Sequence, residues 1–180
     1  MPTQLINSFI TGSADGTMKL YQLSGKRLLH TFVHSLPTAD SATEDEVAPA
    51  VECVGFSTDA FKWVASGGMD KTLKIWDLNN ASCRVVCNHG GSVVSLAWHA
   101  SLPVVCTASL DQVVRIWDAR TGNSLKELTG HSDIITNLSL KTVSSGLLPI
   151  EYNDKEMDII TTVSDDHTAK IFVVEISKLL

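Results

Sequence analysis

The stretch Val104–Asp118, VVCTASLDQVVRIWD, has three near-copies elsewhere in the chain. Each copy holds a short apolar run, a Ser or Thr, an acid four residues later and an aromatic six beyond the acid. The four sets are Thr11/Asp15/Tyr21, Ser66/Asp70/Trp76, Thr107/Asp111/Trp117 and Thr162/Asp166/Phe172. A basic residue follows each acid at the same distance (Lys19, Lys74, Arg115, Lys170), and the next position is always aliphatic (Leu20, Ile75, Ile116, Ile171). Four segments agreeing at so many positions are internal repeats. Trp76 and Trp117 lie 41 residues apart, whereas the intervals Tyr21–Trp76 and Trp117–Phe172 are 55 each, which predicts an inserted loop in both. A period of about 40–45 residues with strands inside it points to the blades of a β-propeller.

Alternation and turn residues predict about fourteen strands in four units, approximately 1–33, 51–88, 93–129 and 134–176. The units hold three, four, four and three strands, the first lacking its innermost and the last its outermost. Asp15-Gly16 between two alternating runs is a hairpin signal. Within Leu73-Lys74-Ile75-Trp76, Leu73 and Ile75 fall on one face and Trp76 on the other, so both faces need an apolar neighbour. The fold class expected is therefore all-β, a partial propeller of about four blades of antiparallel four-stranded sheet in an incomplete ring. Residues 34–50 read as an acidic inserted loop and 142–158 as a second insertion. The chain as a whole, 1–180, reads as the C-terminal part of a longer propeller whose remaining blades are missing from this chain.

The formal net charge of −6 is concentrated. Between Arg27 and Lys62 there is no Lys or Arg, while Asp40, Glu44, Asp45, Glu46, Glu52 and Asp59 all fall there. Such a run is a solvated loop or a docking site for a basic partner. No basic stripe exists, which argues against nucleic-acid binding. Cys53, Cys83, Cys87 and Cys106 read as free thiols of a reducing compartment. Cys83, Cys87 and His89 lack a second ligand pair, so no metal is expected. With no signal peptide or apolar run of membrane-spanning length, a soluble protein of the cytoplasm, with the nucleus as a second compartment, is expected. No cofactor is expected, and no phosphate-gripping glycine loop follows a strand into a helix.

His89, Thr107, Asp111 and Trp117 supply an imidazole, a hydroxyl and a carboxylate, the ingredients of a catalytic triad. The set recurs as His131/Thr162/Asp166, however, and an active site occurs once whereas a structural device recurs in every unit. A hydrogen-bonded network fixing register is the expectation, and an enzyme is not. By sequence only the third unit has all four members. The second, Ser66/Asp70/Trp76, shows no His at the corner His89 occupies, because the acidic insertion falls there. The first retains Thr11 and Asp15. The first and last lack the indole donor and are expected to be looser.

Trp76-Asp77, Trp117-Asp118 and Gly130-His131 resemble the signature of the WD-repeat (WD40) propellers. That resemblance implies that the four polar groups form a bonded chain joining inner loop, strand and tight turn. More narrowly, Val51–Leu180 resembles the C-terminal half of the angio-associated migratory cell protein family, through VECVGFS (Val51–Ser57), CTASLDQVVRIWDARTG (Cys106–Gly122), LTGHSDII (Leu128–Ile135) and IITTVSDDHTAKIFVV (Ile159–Val174). The fungal branch of that family contains a WD-repeat ribosome-assembly chaperone. The resemblance implies a non-catalytic interaction scaffold, with Asp40, Glu44, Asp45 and Glu46 as contributors to binding a basic ribosomal protein. An alternative comes from Trp117-Asp118-Ala119-Arg120, which is similar to the Trp-Asp-x-Arg box of substrate receptors of cullin-RING ubiquitin ligases. Arg120 would then contact the ligase adaptor, or else make a local salt bridge. A third alternative is an inactive propeller fragment.

Overall fold

The computed structural model describes residues 7–35, 48–58, 60–143 and 157–180. Among the described residues, fourteen strands form four antiparallel meander sheets, each built from strands consecutive in sequence. Sheet 1 holds β1 (Ser8–Gly12), β2 (Thr17–Gln22) and β3 (Arg27–Val33). Sheet 2 holds β4 (Val51–Phe56), β5 (Trp63–Gly68), β6 (Thr72–Asp77) and β7 (Ser82–Asn88). Sheet 3 holds β8 (Val93–Trp98), β9 (Val104–Ser109), β10 (Val114–Asp118) and β11 (Ser124–Leu128). Sheet 4 holds β12 (Ile135–Val143), β13 (Met157–Ser164) and β14 (Ala169–Val174), followed by one turn of 3-10 helix, Ile176–Lys178.

The repeated residues fix a repeated register. Thr11 pairs with Lys19, Ser66 with Lys74, Thr107 with Arg115 and Thr162 with Lys170. Thr11, Ser66, Thr107 and Thr162 therefore mark equivalent strands. Among the described residues, sheet 1 lacks a counterpart of the inner strands β4, β8 and β12, and sheet 4 lacks a counterpart of the outer strands β7 and β11. Two of the four sheets are thus three-stranded rather than four-stranded. A bulge sits beside each aromatic that faces an outer strand, at Leu20/Tyr21, Ile75/Trp76 and Ile116/Trp117.

The insertion assigned to 142–158 is shorter than its sequence suggests. Thr142 pairs with Asp158 and Val143 with Met157, so the hairpin runs on past Leu140. The cause is burial: Val143 and Met157 lie in the core, and the Thr142 hydroxyl donates to the Asp158 carboxylate at 2.7 Å. Residues 144–156 lie outside the described residues, as do 36–47 of the acidic segment.

The core lies between sheets. Met18, Leu20 and Phe32 of sheet 1 pack on Val64 and Trp76 of sheet 2, with Phe32 and Trp76 ring centroids 5.3 Å apart. Ala65, Leu73 and Ile75 of sheet 2 pack on Val105 and Trp117 of sheet 3. Cys106, Ala108, Val114 and Ile116 pack on Ile160, Phe172 and Val174 of sheet 4. Every residue of β5 and β9 is buried, as a strand sandwiched on both faces requires. Inner strands approach closely. A Cβ on Gly55 would lie 2.7 Å from Leu96 Cδ1, and the bare backbone there lets Trp98 Nε1 donate to the Gly55 carbonyl at 3.1 Å.

Candidate functional site

Each hairpin between the second and third strands of a unit turns through a residue with positive φ: Gly16 (75°), Lys71 (63°), Gln112 (70°) and His167 (63°). The left-handed conformation costs a side-chain-bearing residue about 1 kcal/mol, and the preceding acid offsets that cost. Asp15, Asp70, Asp111 and Asp166 each accept the backbone N–H two residues on, at 2.9, 3.0, 3.2 and 2.9 Å. Thr17, Thr72 and Thr168 add their hydroxyls to the same carboxylates. The recurrent acid is a turn cap first, which is why sheet 1 keeps it without a histidine.

Sheet 2 does contain the imidazole that the sequence comparison left out. It is His34, directly after β3. Because the carboxylate only accepts, His34 Nε2–H donates to Asp70 Oδ1 (3.0 Å), leaving Nδ1 bare to accept the Ser66 hydroxyl (2.7 Å). Ser66 Oγ in turn accepts the Trp76 indole N–H at 2.8 Å. The result is one directed chain, indole to hydroxyl to imidazole to carboxylate, with Ser66 and His34 buried. Lys74 Nζ closes the corner by donating to the His34 carbonyl and to Asp70. Burial alone would raise the Asp70 carboxyl, but hydrogen bonds from His34 and Thr72 more than reverse this and hold it well below the usual carboxylate range.

Sheet 3 holds its four residues near one another but wires them differently. Trp117 Nε1 donates to Thr107 Oγ1 (2.9 Å), and the Thr107 hydroxyl donates to His89 Nε2 (2.9 Å). His89 Nδ1–H then turns to the Cys87 carbonyl at 3.2 Å rather than to Asp111. Asp111 Oδ2 is taken by Arg115 Nη1 (2.7 Å) and the Gly90 N–H (2.9 Å). Burial first, and the Arg115 guanidinium second, push the His89 imidazole down to about 4. In sheet 4, His131 Nδ1–H donates to Asp166 Oδ2 (2.7 Å), and Nε2 accepts the Thr162 hydroxyl (2.8 Å). Thr11 in sheet 1 is exposed among the described residues. In sheets 2, 3 and 4 these groups spend their hydrogen-bonding capacity on one another or on backbone, and sit between sheets rather than in a cleft.

Arg120 makes its own local ion pair: Nε and Nη2 donate to the two oxygens of Asp118, each at 3.0 Å. Cys83 is exposed, Cys87 is buried, and His89 Nε2 is committed to Thr107, so these three do not converge. Asp40, Glu44, Asp45 and Glu46 lie outside the described residues. Their flanks are placed, however. Ser35 Oγ donates to the Pro49 carbonyl (2.6 Å), the Ser35 N–H donates to the Gly16 carbonyl (3.2 Å), and Val51 N–H donates to the Ser13 carbonyl (3.0 Å). Both ends of the acidic segment therefore emerge beside the Asp15-Gly16 turn.

One buried cluster had no signature in the repeat. His99 Nδ1 accepts the N–H groups of Ser101 and Leu102, so its Nε2–H donates to Asp158 Oδ1 at 3.0 Å, bridging sheets 3 and 4. Asp158 Oδ2 also accepts the Ile176 N–H (3.1 Å), pinning the terminal 3-10 turn.

The family model of the WD domain, G-beta repeat, matches residues 47–77 and 81–118. The chain is 35% identical over 170 residues to the angio-associated migratory cell protein of Homo sapiens, covering 92% of this chain and 36% of that protein. Residues 47–77 and 81–118 are thus WD repeats, and the chain is homologous to that protein. Other WD-like propellers share its fold. The Saccharomyces cerevisiae Sqt1 structure superposes with a TM-score of 0.77 at 17% identity, over 92% of this chain and 41% of that one. The computationally designed Ika4 protein gives 0.67 at 23% identity, over 93% of this chain and 86% of that one. The chain spans a little over a third of the length of the curated relative it matches. Ser66, Asp70 and Trp76 fall within the first matched repeat and Thr107, Asp111 and Trp117 within the second, while His34 lies before the first.

Proposed function

We propose that this WD-repeat chain is a non-catalytic protein-interaction scaffold whose acidic end shields a basic ribosomal protein. The observation that carries this reading is the common exit of the 36–47 segment. Ser35 and Pro49 hold its two ends together at the edge of the sheets where Asp15, Asp70, Asp111 and Asp166 cap their turns. The segment adds Asp40, Glu44, Asp45 and Glu46 with no basic residue among them. Negative charge gathered at one end neutralises a Lys/Arg-rich client and speeds encounter in proportion to the absence of salt. The resemblance to the angio-associated migratory cell protein family supports the same class of client. The test is titration of a basic ribosomal peptide against the chain and against a variant with Asp40→Asn, Glu44→Gln, Asp45→Asn and Glu46→Gln, at two salt concentrations. Weaker binding by the variant, with a shallower salt dependence, is expected. Indistinguishable affinities at both salts would refute the assignment.

A further inference from the structure

β8 runs from beside the Asp111 turn to the opposite end of sheet 3, since Val93 pairs with Ser109 and Trp98 with Val105. His99 follows there, and beside it lies a cavity of about 60 Å³ walled by His99, Ser101, Leu102, Thr142, Asp158 and Ser177. A single water needs about 10–15 Å³, so a small ion fits with part of its water shell. Apart from Leu102 the wall is polar, an imidazole and a carboxylate among hydroxyl-bearing residues.

The charge in that wall is one-sided. Asp158 is 3% exposed. Burial alone would raise its carboxyl, and hydrogen bonds from His99, Thr142 and Ile176 more than reverse this, so it stays ionised near neutral pH. None of those donors brings a positive charge. Thr142 gives a hydroxyl at 2.7 Å and Ile176 a backbone N–H at 3.1 Å. His99 is neutral by its own bonding. Its Nδ1 accepts the Ser101 N–H at 3.1 Å and the Leu102 N–H at 3.0 Å, so the one ring proton sits on Nε2 and faces Asp158. A second ring proton would point straight at two other N–H groups. Asp70 and Asp111 are built otherwise, with Lys74 Nζ 3.3 Å from the first and Arg115 Nη1 2.7 Å from the second. A buried charge that no opposite charge meets is costly, and beside Asp158 there is room for one.

We propose that this cavity is a site for one alkali-metal cation, held by the Asp158 carboxylate with oxygen atoms of Ser101, Thr142 and Ser177 in its shell. One carboxylate among hydroxyls matches a single positive charge, whereas Ca²⁺ takes about six to eight oxygen ligands. The ion joins three elements: the segment after β8 through Ser101, the β12–β13 pair through Thr142 and Asp158, and the 3-10 turn through Ser177. Because the site exists only when sheets 3 and 4 are packed, the ion stabilises the folded chain by mass action.

The experiment follows backbone amide resonances of the full chain while choline chloride is replaced stepwise by KCl, and separately by NaCl, at constant total salt. The trimethylammonium head of choline is too large for the cavity. The Ser101, Leu102 and Ile176 amides, which bond to His99 and Asp158, are expected to shift together along one saturating curve with at least one of the two ions. The unfolding midpoint is expected to rise over the same range. The Thr72 and Gly90 amides bond to Asp70 and Asp111, which hold their own cations, and are expected to stay in place. Shifts that are absent or linear with both ions, or equal movement at Thr72 and Gly90, would overturn the proposal on the parent chain alone. Asp158→Asn keeps an acceptor oxygen while removing the charge, and is expected to abolish the saturating response; its persistence in a folded variant would overturn the assignment. Ser177→Ala changes an exposed wall residue and is expected to raise the half-saturating concentration, an unchanged value overturning the placement of the ion.

Discussion

Replacing Ser66 by alanine tests the directed hydrogen-bond chain at its pivot. Ser66 Oγ receives the Trp76 indole N–H and donates to His34 Nδ1, and the residue is fully buried. Alanine fills the backbone position but leaves two buried polar groups without partners. Each such group costs about 1–3 kcal/mol, so the expected loss is about 2–4 kcal/mol, partial relaxation keeping it from the upper extreme. In a chain of this size that lowers Tm by roughly 4–16 °C. Two controls bracket it. Ser66→Thr keeps the hydroxyl, and Thr107 and Thr162 already occupy the equivalent place in β9 and β13, so a change within about 1 kcal/mol is expected. Thr11→Ala alters the same repeat position where it is exposed, and should cost under about 0.5 kcal/mol. The assay is urea unfolding followed by tryptophan fluorescence, with the m-value checked for constancy. If Ser66→Ala unfolds at the same urea concentration as Thr11→Ala, the set is not a stabilising bolt and the structural account of it fails.

Acid should weaken the fold through His89 before it reaches the carboxylates. With the folded imidazole near 4 and the free one near 6.5, the unfolded chain gains a proton the folded chain refuses; stability is full above about pH 6.5, falls as pH drops toward 4, and levels below it. About 3 kcal/mol is at stake, and His89→Gln should flatten that part of the urea-midpoint profile; an unchanged slope would contradict the assignment. Asp158→Ala removes the acceptor shared by His99, Thr142 and the Ile176 N–H. It should cost about 2–4 kcal/mol and open the terminal turn to limited proteolysis, whereas equal digestion rates would show that the turn is held otherwise. Thiol labelling under native conditions should modify Cys83 first, because it is exposed, while burial pushes Cys53 and Cys87 up to about 12 and encloses Cys106 fully. Fast labelling of Cys106 would mean that the contact between sheets 3 and 4 opens readily.

Strand number and order were legible because alternation and the hydroxyl–acid–base–aromatic spacing repeat on elements that are themselves local. Spacing alone did not hide the imidazole of sheet 2: His34 precedes Ser66 by 32 residues, almost the 31 that separate His131 from Thr162, whereas His89 precedes Thr107 by 18. His34 was passed over because the acidic segment stands between it and β4, so no His lies next to the start of that unit. The better signal was its position against the preceding outer strand: His34 follows Val33 at the end of β3 as His89 follows Asn88 at the end of β7. The diversion of Asp111 could not be read from spacing, because Lys74 and Arg115 look equivalent in sequence. Only the reach of a guanidinium lets Arg115 engage Asp111 and Glu127 together. His99 and Asp158 sit outside the repeat pattern and meet only when sheets 3 and 4 pack.

Ser35 and Pro49 clasp the polypeptide where it departs from the sheets and where it returns. The bond between them ties the two ends of one loop together. Doubling the length of such a loop costs only about 0.6 kcal/mol of closure entropy. A change in the length of that loop therefore alters the cost of closing it only slightly.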